Sequence, residues 1–179
     1  MCSSDLHYAK SLKAAGHRIT PDHLSLALNA YVADSKAQAV REVAPYHLYF
    51  NRTLFSHGSF TETAAQRQAG YVEQNSTDYV RPENQRAAAL LREDFRNMSF
   101  ESFQKQAENL PYGTASEVAE RIIAQAEHAG ANMVQIGLNR GAMPHEMFME
   151  QIRRFAEGVL PRLQAHEVKR VRAAEEIAA

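Results

Sequence analysis

The chain of 179 residues holds a single cysteine, Cys2, and no tryptophan. One thiol cannot form an internal disulfide, so a cystine-stapled fold is excluded, and nothing marks Cys2 as an activated nucleophile. No apolar run reaches the length needed to span a membrane, and no basic-then-apolar leader is seen. A soluble, cytoplasmic protein is the expectation. An excess of either charge is also missing: 20 lysines and arginines stand against 21 aspartates and glutamates, for a net charge of −1. That balance gives no bulk pull toward nucleic acid or anionic lipid.

Chemical signatures are equally scarce. There is no Gly-x-Ser-x-Gly elbow. His145-Glu146 begins like a zinc-protease helix, but Met149 stands where the second imidazole is needed, which rules that chemistry out. The other histidines (His7, His17, His23, His47, His57, His128, His166) lack metal-ligand spacing and read as surface or packing residues. Met143, Met147 and Met149 read as core filler. Asn51-Arg52-Thr53, Asn75-Ser76-Thr77 and Asn97-Met98-Ser99 match the glycosylation triplet, which is short enough to occur by chance.

What is present is a helix–strand–helix series over Pro111–Leu163. Thr114-Ala115-Ser116-Glu117 is a capping box, in which the Thr114 hydroxyl takes the Glu117 amide and the Glu117 carboxylate reaches back. Val118, Ile122, Ala126 and Ala129 follow at helical spacing, and Gly130 suits a left-handed helix end. Ala131–Leu138 is a short apolar run, expected as a strand covered on both faces. Gly141 and Pro144 open a second helix, expected to bury Met147, Phe148, Ile152, Phe155, Ala156 and Val159. A capped helix, a buried strand and another helix make the repeating unit of a parallel α/β sheet or barrel.

Upstream, His23–Val32 alternates leucine with small or polar residues, the period of a strand. In a barrel that alternation sends one set of side chains to the helices and the other to the lumen. His7–Ala15 reads as the last turns of a helix stopped by Gly16, whereas Met1–Leu6 is expected to be disordered or foreign to the fold. Asp34 or Ser35 caps a helix from Lys36 to about Leu48, with a break or kink at Pro45. His57–Asn109 is expected to be a helical insertion (Glu62–Gln74, Pro82–Arg96, then Phe100–Leu110 capped by Ser99). Residues 164–179 alternate charge and alanine, as in an exposed terminal helix. No repeat or linker marks a boundary, so 1–179 reads as one domain.

Sites in parallel barrels lie at the carboxyl ends of the strands. Here those ends offer Asn29 and Tyr31, then Asn139 and Arg140. Tyr31 and Asn139 could supply hydrogen bonds to a ligand; Arg140 suits either an anionic group or an ordinary surface salt bridge. Gly137-Leu138-Asn139-Arg140-Gly141 stands where a phosphate loop would. It lacks both the dinucleotide fingerprint and the Walker lysine–serine pair, and reads better as a turn.

Several stretches taken together resemble the carboxyl end of the bacterial luciferase-like flavin monooxygenases. They are PYGTASEVAERI (Pro111–Ile122), AGANMVQI (Ala129–Ile136), GAMPHE (Gly141–Glu146), FAEGVLP (Phe155–Pro161) and, upstream, AYVADSKAQA (Ala30–Ala39). The resemblance implies the carboxyl-terminal portion of a (βα)8 TIM barrel. It also implies reduced FMN or a deazaflavin as cofactor, with dioxygen and a small organic substrate. A separate flavin reductase and a homo-oligomer belong to the same implication. A complete barrel takes about 250 residues, so the chain reads as a carboxyl-terminal fragment. Asn29, Tyr31, Asn139 and Arg140 would then line the mouth of the intact pocket, and no catalytic residue transfers. Two further readings stay open: a deazaflavin-dependent oxidoreductase, and a non-catalytic accessory or interaction subunit.

Overall fold

Leucine and valine on alternate positions give the sheet one side to bury, and the chain supplies helices to bury it. The computed structural model describes residues 3–55 and 93–171. Although the sequence gives no sign of a boundary, the chain divides into two compact units. The first comprises Met1–Arg41, Ala107–Asn139 and Pro144–Ala179; the second comprises Glu42–Gln106 and Arg140–Met143.

In the first unit, helix α1 (Ser3–Ala14) precedes a 3₁₀ turn (Pro21–His23) and strands β1 (Ser25–Asn29) and β2 (Tyr31–Val32). After helix α2 (Lys36–Tyr49) has left for the second unit, the chain returns through β3 (Tyr112–Gly113), α4 (Ala115–Ala129), β4 (Met133–Gly137), α5 (His145–Gly158) and α6 (Leu160–Gln164). β1 pairs with β4 in parallel, Ser25 opposite Met133 through Asn29 opposite Gly137. β2 pairs with β3, also in parallel. The fold is α/β with parallel strands, as expected.

The strand expected over His23–Val32 starts later and is interrupted. His23 belongs to the 3₁₀ turn, where its Nδ1 lies 3.0 Å from the Thr20 nitrogen. At Ala30 the chain exchanges one neighbour for another. The Ala30 N–H still donates to the Gly137 carbonyl (3.1 Å), whereas the Tyr31 N–H turns the other way, to Pro111 (3.1 Å).

One face of the β1–β4 pair is partly buried. Leu28, Val134, Ile136 and Leu138 pack on Ala30 and Val32 at β2, on Val118, Ala119 and Ile122 of α4, and on Phe155 of α5 and Val159 just beyond it. The opposite face carries Ser25, Ala27, Asn29, Met133, Gln135 and Gly137, and Met133 is 59% exposed. The expectation of cover on both faces of β4 is therefore corrected: α4 and α5 lie on the same side.

Both ends of α4 follow from local chemistry. The Glu117 N–H donates to the Thr114 hydroxyl (3.3 Å), and the Glu117 carboxylate accepts from the Thr114 N–H (2.8 Å). Gly130 closes the helix at φ +69°, and its N–H bonds Ala126 and Glu127 carbonyls.

The other expectations fare unevenly. α1 begins at Ser3, so the disorder expected up to Leu6 is replaced by helix from Ser3 on. α2 runs through Pro45 to Tyr49 without the expected break. On α5 the buried positions are Gln151 and Phe155, followed by Val159, whereas Ile152 and Ala156 are exposed. The expected exposed helix over 164–179 ends at Gln164, and 165–171 is an irregular strap. Its Val168 and Val171 are buried, the latter against Ala9 and Ile19. Packing of Val171 on Ala9 of α1 outweighs helical propensity there. Residues 172–179, and the helices expected over 62–74 and most of 82–96, lie outside the described residues.

The second unit holds the later part of α2, a π-helical turn (Phe50–Phe55), a short helical stretch at 93–96 and α3 (Phe100–Ala107). As expected, Ser99 caps α3, its hydroxyl accepting from the Ser102 N–H (3.1 Å).

Candidate functional site

In the first unit the open face of β1–β4 is a small patch of neutral chemistry. Register places Ala27 beside Gln135 and Asn29 beside Gly137, with Ser25 and Met133 at the amino end. The Asn29 Oδ1 occupies the space a side chain at position 137 would need: a Cβ built on Gly137 would meet it at 2.6 Å. None of these six side chains ionises. The face can donate and accept hydrogen bonds through two amides and a hydroxyl, but it cannot supply a proton or an ion pair.

The expected site residues fall in different surroundings. Asn29 is half-buried and Asn139 exposed, each at the carboxyl end of its strand. Tyr31 lies in the core at 2% exposure, in register with buried Tyr112. Arg140 belongs to the second unit, where its guanidinium carbon sits 4.1 Å above the Phe50 ring.

At the carboxyl end of β2 a residue with no catalytic signature closes the sheet. Gln151, 2% exposed, accepts from the Val32 N–H (2.7 Å) and donates to the Val32 carbonyl (3.0 Å). Its amide takes the place of a neighbouring strand beyond the end of β4. The signal for it was present: Gln151 shares a helical stripe with Phe155 and Val159, where only a satisfied polar group is tolerated.

Around Arg140 the second unit buries an imidazole. His47 is 3% exposed, its ring centroid lies 4.3 Å from that of Phe103, and neither nitrogen makes a hydrogen bond. Burial, then the charge of Arg140, holds its pKa down from 6.5 to about 4, with a weaker opposing contribution from the Gln106 side chain. Asn51, at the head of one glycosylation triplet, is also buried.

The covered side of β4 has a groove of about 520 Å³ lined by Ile122, Val134, Ile136, Phe155 and Leu163, among others. None of the expected site residues reaches it. Among the described residues no three His, Cys, Asp or Glu side chains converge, and no helix is long and apolar enough to cross a membrane. No protein-family model, curated protein or solved structure matches the chain.

Proposed function

We propose that the chain supplies one wall of a flavin-dependent monooxygenase of the bacterial luciferase-like kind. In this reading β1 and β4 are staves of a (βα)8 barrel, and Ser25, Ala27, Asn29, Gln135 and Gly137 face its lumen. The observation that carries it is the two-sidedness of the parallel pair. One face is under α4 and α5, and the other is bare, small and amide-bearing. A barrel lumen asks for that division.

Bound reduced FMN would supply the activation of dioxygen and the oxygen transfer to a small organic substrate, whereas a deazaflavin in its place would supply hydride transfer. What the chain's own residues contribute is binding. Asn29 and Gln135 match the edge of a ring system rich in carbonyl and imino groups, and Asn139 can extend that set at the strand ends. The phosphate end of the cofactor needs a cation, which this face lacks. A non-catalytic accessory subunit is the second reading, and the absence of any ionising group on the open face favours it.

The test is equilibrium binding of FMN and of a deazaflavin to the purified chain, followed by fluorescence. Saturable binding of one of them, weakened about tenfold or more in the Asn29→Leu/Gln135→Leu variant, supports the flavin reading. Absence of saturable binding to either, with co-purification of a larger barrel protein, supports the accessory reading.

A further inference from the structure

We propose that the cleft on the outer flank of α4 binds a small zwitterion of the α-amino acid class, with Lys36 and Arg121 taking its carboxylate and Glu120 its ammonium group. The cleft shares no residue with the open face of β1–β4, so this does not rest on the flavin reading.

The cleft has a volume of about 280 Å³, and Lys36, Arg121, Glu117 and Glu120 line it together with Leu110 and Ala124. It is smaller than a drug-sized site and suits a ligand with one short side chain. Lys36 opens α2 just after β2, and Glu117 stands in the first turn of α4 just after β3. Parallel sheets place their ligands beyond such carboxyl ends.

The two cations are what call for a ligand. Lys36 Nζ donates to the Glu108 carbonyl at 2.8 Å, and Arg121 Nη2 donates to the same oxygen at 3.3 Å. Two positive charges thus gather on one neutral acceptor, and among the described residues neither has an ion-pair partner. A carbonyl dipole offsets only part of their repulsion, and each head keeps unused N–H donors. A carboxylate bridging the two would satisfy both charges.

Negative charge is present in equal measure. One Glu117 oxygen is held by the Thr114 N–H (2.8 Å) and hydroxyl (2.9 Å). Glu120 Oε1 accepts from the Ser116 hydroxyl (2.8 Å), which in turn accepts from Arg162 (2.7 Å), and its Oε2 has no partner among the described residues. A bare anion in this cleft meets two carboxylates, and a bare cation meets two cations. A zwitterion is matched at both ends.

Titration of the isotope-labelled full chain, followed by amide NMR shifts, tests this. The probes are L-leucine, isocaproate (the same skeleton without the amino group) and isoamylamine (without the carboxylate). L-Leucine is expected to bind saturably with a dissociation constant on the order of 1 mM. It shifts amides across 110–124 and at Lys36 and leaves those of 25–29 unmoved. Isocaproate and isoamylamine bind about fivefold more weakly or worse. Lys36→Gln/Arg121→Gln weakens leucine binding about fivefold or more. Glu120→Gln weakens leucine binding but not isocaproate binding, and it decides the matter even where the double variant does not fold. The assignment is overturned by no saturable leucine shift up to about 20 mM, by isocaproate binding as tightly as leucine, or by leucine affinity unchanged in either variant.

Discussion

A single amide carries an unusual share of the first unit's order. Gln151 satisfies both backbone groups of Val32 inside the core. Gln151→Leu keeps most of the volume but strands a buried donor and a buried acceptor, each costing about 1–3 kcal/mol. Urea unfolding is expected to show a loss of about 2–5 kcal/mol. A loss within experimental error would mean that water replaces the amide. Two glycines make a contrast at the same scale. The close contact of a Cβ at Gly137 is with the Asn29 side-chain oxygen, which can rotate away. Gly137→Ala should therefore cost at most about 1 kcal/mol while displacing Asn29 from the open face. It is thus a probe of that residue's role in ligand binding. At Gly130 the backbone has φ +69°, and a Cβ would press on the Arg170 carbonyl oxygen at 2.8 Å. Gly130→Ala is expected to be the more damaging, by about 1–3 kcal/mol. The order of the two melting temperatures checks this.

Among the elements, α4 shows what local chemistry can announce. Thr114, Glu117 and Gly130 act on neighbours within a few residues, so their pattern could be read directly from the chain. Thr114→Ala should cost about 1 kcal/mol in unfolding free energy. The Thr114 N–H, then its hydroxyl, holds the Glu117 carboxyl below its ordinary range. A folded-state value below the unfolded one means the contribution is present above the ordinary carboxylate pKa and is lost as pH falls through the folded value. Glu117→Gln should remove that part of the acid dependence, seen as a flatter stability profile below pH 5. The same legibility covers β1, whose alternation lies within the strand, and the existence of β4, though not its open face. It fails where the cause is distant. Nothing in His23–Val32 announces the change of neighbour at Ala30, because it is imposed by Pro111–Gly113. The strap at 165–171 is irregular because Val171 packs on α1 and the Val168 N–H bonds Asn132 (2.7 Å). The stripe it shares with Phe155 turns Gln151 inward, but its bond to Val32 could not be read, since that partner is 119 residues away. The candidate site was legible only in part: the strand end carrying Asn29 follows from alternation and the one before Asn139 from a short apolar run, whereas the burial of Tyr31 depends on β3.

For the molecule as a whole, what stays uncovered is as informative as the core. From Ala131 to Leu138 there is no charged residue, and Met133 at the start of β4 is 59% exposed. Among the described residues β4 pairs only with β1. A short, uncharged strand with an open side lacks the lysines and prolines that guard natural sheet edges, and it invites pairing with another chain. α5 offers a competing source of association, because Met149, Ile152 and Leu160 are exposed along one flank of that helix and its continuation. The two sources separate by substitution. If the sheet drives association, Met133→Lys should slow light-scattering growth severalfold at unchanged melting temperature, since the side chain already faces solvent. Met149→Lys would then have little effect. If the helix flank drives it, the order reverses. Should a barrel partner or ligand cover the open face, its addition should suppress scattering in the parent chain and leave Met133→Lys unaltered, because the lysine would have removed the need for cover.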